Sequence, residues 1–65
     1  MMDPNATLQR FIEALISGDR QDAREAHQDL TEWLARGGFE PKAWKKHRKM
    51  FQAFNPGTGL VDLSF

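Results

Sequence analysis

The sequence predicts an all-α fold: an antiparallel helical hairpin over about residues 4–17 and 20–36, a third helix over about 42–54, and an extended apolar C-terminal tail. Three observations predict it. Apolar residues recur at helical spacing in three segments. Residues that start and stop helices stand between them. The chain has 65 residues, enough for one small domain and no more. The expected division is a three-helix domain over residues 1–56 and a tail over 57–65 that lies on the domain or on a partner.

The first helix opens at Asp3-Pro4, an acceptor side chain followed by proline at the first helical position, with Asn5 as the competing cap. Leu8, Phe11, Ile12, Leu15 and Ile16 then form one apolar stripe. Gly18 can adopt the left-handed conformation that ends a helix, and Asp19 can cap the next. So short a link turns the second helix back antiparallel.

In the second helix, Ala23, Ala26, Leu30, Trp33 and Leu34 fall within one arc, with His27 at its edge. Asp22, Glu25, Asp29 and Glu32 form an acidic stripe along one flank. Gly37-Gly38 stops the helix. With Gly38 as the left-handed residue, Phe39 would pack on Leu34 in a Schellman ending.

Glu40-Pro41 restarts the chain, with proline again suited to a first helical position. The apolar arc of the third helix holds Ala43, Trp44, Met50, Phe51 and Phe54, with His47 inside it; Asn55-Pro56-Gly57 ends it. In the tail, Leu63 and Phe65 alternate with Asp62 and Ser64, a strand pattern with no partner strand in the chain.

Composition narrows the function. Nine basic and nine acidic residues cancel, so the chain as a whole has no bias toward nucleic acid or membranes. The absence of cysteine excludes disulfides, Cys-ligated zinc, a thiol nucleophile and iron–sulfur clusters. No signal peptide or membrane span is evident, and a cytoplasmic location is expected. The hydroxyls of Thr7, Ser17, Thr31, Thr58 and Ser64 and the imidazoles of His27 and His47 sit in no catalytic motif, and no glycine-rich phosphate loop is present. No enzyme activity, cofactor, metal or small-molecule substrate is expected.

Charge is nonetheless unevenly placed. Residues 1–36 hold four basic and seven acidic groups, net −3; residues 37–65 hold five basic and two acidic groups, net +3. All five of those basic groups, Lys42, Lys45, Lys46, Arg48 and Lys49, fall within eight residues. They suit phosphate contacts, and Trp44 or Phe51 could stack on an unpaired base if exposed. The competing reading pairs this helix with the acidic stripe of the second. Aromatic residues are abundant, five Phe and two Trp, and Trp44 and Phe65 are surplus to one small core.

The stretch Ala14-Leu15-Ile16-Ser17-Gly18-Asp19-Arg20-Gln21-Asp22-Ala23-Arg24-Glu25-Ala26, with Leu30, Trp33, Leu34 and Gly37-Gly38-Phe39, resembles small bacterial or phage helical-hairpin proteins of unknown function. The resemblance covers roughly residues 8–41 and implies a hairpin but no activity. The expected function is therefore a non-enzymatic interaction module. It would engage a protein partner, or a second copy as a homodimer, through an apolar patch of Trp44, Phe51, Leu60, Leu63 and Phe65. The alternative is nonspecific nucleic-acid binding through Lys42, Lys45, Lys46, Arg48 and Lys49.

Overall fold

Among the described residues, three helices, α1 (Pro4–Ser17), α2 (Arg20–Ala35) and α3 (Trp44–Ala53), are followed by two short strands, β1 (Phe54–Asn55) and β2 (Leu60–Val61). The computed structural model describes residues 3–61. The fold is mostly helical, with α1 packed against α2, but it is not purely all-α, because the strands pair as an antiparallel sheet.

The helix ends follow from their capping residues. The Asp3 carboxylate accepts the Asn5 N–H at 2.9 Å and the Ala6 N–H at 3.4 Å, so Asp3 is the cap and Pro4 the first helical residue. Gly18, at φ 78°, closes α1 with bonds from its own N–H to Leu15 O and from the Asp19 N–H to Ala14 O. Asp19 then caps α2 by accepting the Asp22 N–H at 3.0 Å.

α2 does end in a Schellman motif, but one residue earlier than expected. Gly37 takes the left-handed conformation, at φ 84°; its N–H reaches Leu34 O at 3.1 Å and the Gly38 N–H reaches Trp33 O at 3.0 Å. The shift puts Gly38, not Phe39, beyond the turn. The Trp33 indole covers the bare Gly38 backbone, its Nε1–H donates to Phe39 O at 3.0 Å, and the Phe39 ring is carried outward to 64% exposure.

α3 is shorter than the expected 42–54. Residues 41–43 form a turn in which the Trp44 N–H donates to Pro41 O, and the Lys42 N–H is taken by Asn5 Oδ1 of α1 at 2.7 Å. At the other end Phe54 turns extended, at φ −69° and ψ 130°, and pairs with Val61, while Asn55 pairs with Leu60. Asn55-Pro56-Gly57 is thus the start of a hairpin turn, held by Asn55 Oδ1 on the Gly57 N–H and by Asn55 O on the Gly59 N–H, both at 2.8 Å. The first tail residues do have a partner strand within the chain. Leu63 and Phe65 lie outside the described residues.

The core joins Leu8, Phe11 and Ala14 of α1, Ala23, Ala26 and Leu30 of α2, Trp44 and Phe51 of α3, and Phe54 of β1. Phe11 is its centre, fully buried, with edge-to-face contacts to Phe51 at 5.3 Å and Phe54 at 5.1 Å. The buried face of α1 is rotated from the apolar stripe: Pro4, Thr7, Leu8, Phe11 and Ala14 are buried, Ile12 and Leu15 are half-buried, and Ile16 is 81% exposed. Small Ala14, Ala23 and Ala26 let α1 and α2 approach closely, which draws that side of α1 inward. Ala43, expected in the apolar arc, is exposed because it precedes α3.

Candidate functional site

The rotation of α1 leaves apolar side chains without cover. Ile12, Leu15 and Ile16 form one wall of an open groove of about 560 Å³; Met50 of α3 and Leu60 and Val61 of β2 form the others. Ile16 and Leu60 are the most exposed of these, at 81% and 50%. Among the described residues the polar side chains on the lining are Arg20 and His47, with no carboxylate. Gly59, at φ 73°, lies against the Arg20 stem: a Cβ there would sit 2.7 Å from Arg20 Cβ. Glycine at this turn is therefore required both by its backbone conformation and by the arginine beneath it.

The expected contact residues separate. Trp44 and Phe51 are both 6% exposed, their rings 5.0 Å apart in the core, so they hold α3 in place and offer no surface. Leu60 is exposed on the groove. Leu63 and Phe65 fall outside the described residues. The groove wall on α1 was not singled out from the sequence. Its signal was the width of the five-residue apolar stripe, more than the contact with one neighbouring helix can cover.

Lys42, Lys45, Lys46, Arg48 and Lys49 are all exposed. They do not meet the acidic stripe of α2. Arg10 of α1 answers that stripe instead: its guanidinium pairs with Asp22, with Glu25 at 3.0 Å and with Asp29 at 3.8 Å. Among the described residues, every ion pair is one of these.

The hydroxyls among the described residues are engaged locally; Ser64 lies outside them. Thr7 donates to Asp3 O, Ser17 to Ala14 O, Thr31 to His27 O and Thr58 to Asn55 O, none with an imidazole as partner. Among the described residues no group of three or more His, Asp or Glu side chains is placed to hold a metal ion. His27 stacks on Phe51 at 4.3 Å and lies 4.8 Å from Phe54 and 5.8 Å from Phe11. Loss of solvent lowers its pKa below the ordinary 6.5, and the Phe51 backbone offsets this in part.

Among the described residues no helix is long and apolar enough to cross a membrane. No family model, no curated protein and no solved structure matches the chain.

Proposed function

We propose that the chain is a non-enzymatic protein-interaction module whose working surface is the groove between α1, α3 and β2. The carrying observation is the open apolar lining, with Ile16 and Leu60 held out to solvent by a rigid core. A 65-residue chain has little apolar surface to spare, and here part of it is left out of the core. The lining also sets the chemistry of the occupant. Among the described residues Arg20 and His47 are its polar side chains and no carboxylate lines it, so the fitting partner is a short apolar segment of another protein with an acidic residue at its flank. Kinship with the small bacterial or phage hairpin proteins, and a reducing, cytoplasmic setting for this cysteine-free chain, belong to the same proposal.

A peptide library displayed on phage tests this reading directly. Selected peptides should be apolar with an acidic flank. Ile16→Glu and Leu60→Asp should abolish their binding, and Gln21→Glu, on an exposed turn of α2, should not. Peptides that bind Ile16→Glu as well as the original chain would sink the proposal. Light scattering identifies a second copy as occupant if the chain dimerises and Ile16→Glu makes it monomeric. Such a result would replace the acidic-segment partner with a homodimer.

A further inference from the structure

We infer that the exposed face formed by Lys42, Lys45, Lys46 and Lys49 binds the phosphate backbone of nucleic acid by charge alone, without reading or stacking on bases. The inference is independent of the groove. Three observations carry it together.

First, among the described residues no carboxylate pairs with these charges. The acidic stripe that could have neutralised them is held by Arg10, and among the described residues no ion pair involves α3. Second, the four lysines share one side. On α3, Lys45, Lys46 and Lys49 follow at i, i+1 and i+4, and Lys42 stands in the turn just before the helix, three residues ahead of Lys45; all four are exposed. At 1.5 Å per residue Lys45 to Lys49 spans about 6 Å, and with the turn that carries Lys42 the row is about 10 Å long. A duplex strand carries one phosphate per ~3.4 Å of axis, so the row faces about three phosphates on one strand and can reach a fourth across a groove. Lysines on flexible stems act as point charges and suit such a regular array.

Third, the burial of α3 decides between ligand classes. Its aromatic residues, Trp44 and Phe51, are in the core, and Met50 lies in the groove. Neither ring is free to stack on a base, and the imidazole of His47 lies on the groove lining, outside the lysine row, so the row itself offers no stacking platform. No apolar face of α3 is free to enter a lipid surface either, as an interfacial helix requires. What remains is sequence-independent attraction to phosphates. Arg48, on the opposite flank of α3, lies outside the row.

The test is fluorescence anisotropy of a labelled duplex and a labelled single strand, titrated with the full chain. With four phosphate contacts the duplex salt slope should be about −3.6, an affinity loss of roughly 150-fold between ~50 and ~200 mM salt. For a single strand it should be shallower, about −2.8. The Lys45→Glu/Lys49→Glu variant should lose at least about half of that slope, having lost two of the four contacts. Arg48→Glu should leave the slope nearly unchanged, and Ile16→Ser, in the groove, should bind as the original chain does. Far-UV circular dichroism confirms that each variant is folded. Four results would overturn the inference: no binding at low salt, a salt-independent affinity, equal losses from Arg48→Glu and Lys45→Glu, or tighter binding to anionic phosphatidylserine vesicles than to duplex at equal salt.

Discussion

Replacing Phe11 by alanine should remove most of the protein's stability. The ring is fully buried and bridges α1 to α3 and β1. Deleting a buried phenylalanine side chain costs about 3–5 kcal/mol, from lost transfer free energy and the cavity left behind. A domain of this length is stable by roughly 3–10 kcal/mol at about 0.05–0.15 kcal/mol per residue, so the loss is comparable with the whole. Phe11→Leu retains most of the volume but loses two edge-to-face pairs, each worth about 0.5–1.5 kcal/mol, for a loss of about 1–3 kcal/mol. Urea denaturation followed by circular dichroism measures both. Ile16→Ala is the control. At 81% exposure, Ile16 should cost no more than about 0.5 kcal/mol. If Ile16→Ala cost more than Phe11→Ala, α1 would be turned the other way about its axis. The groove would then be part of the core, and the argument built on it would collapse.

Three further outcomes follow from named contacts. Arg10→Ala should destabilise the fold by only about 1 kcal/mol, since its side chain is 42% exposed and surface pairs are weak, and the deficit should shrink in high salt. A deficit that stays constant with salt would mean that the arginine acts through packing. Gly38→Ala places a Cβ 2.7 Å from Trp33 Cδ1 and nearer still to Nε1 and Cε2; overpacking of this kind costs about 1–3 kcal/mol. Its signature is a changed near-UV spectrum as the indole leaves Phe39 O, and an unaltered spectrum would contradict the contact. His27 is held neutral by its aromatic surroundings, with a folded pKa below the ordinary 6.5. Its contribution is therefore fully present above about pH 6.5. As pH falls below that value the unfolded chain takes up the proton first, so stability declines toward the lower, folded pKa. Urea midpoints for the original chain and His27→Gln should converge on acidification, and midpoints that diverge would reverse the sign of the argument.

The helical hairpin was legible because its signals are local. Asp3, Pro4, Gly18 and Asp19 each act within a few residues of their own position. The β-hairpin was not, because Phe54 fits the helical spacing of α3 and only its pairing with Val61 shows that it has left the helix. The rotation of α1 was hidden for a different reason. Thr7 and Ala14 carry no strong apolar signal, yet both are buried, the threonine with its hydroxyl on Asp3 O and the alanine within the core. The lysine row of the candidate surface could be read from spacing alone. The groove could not, since its walls come from three elements distant in the chain. The fate of Trp44 and Phe51 turned on the same point: aromatic residues beside a basic run look like contacts until the fold shows that they anchor the helix bearing it.

The hydrogen bond from the Lys42 N–H to Asn5 Oδ1 joins positions 37 residues apart. It fastens the front of the lysine row to the opening turn of the molecule by an uncharged amide. A neutral change at Asn5 would thus loosen one end of a charged surface without altering the charge at all. In a titration such a variant would pass for an electrostatic mutant, although what it had lost was aim.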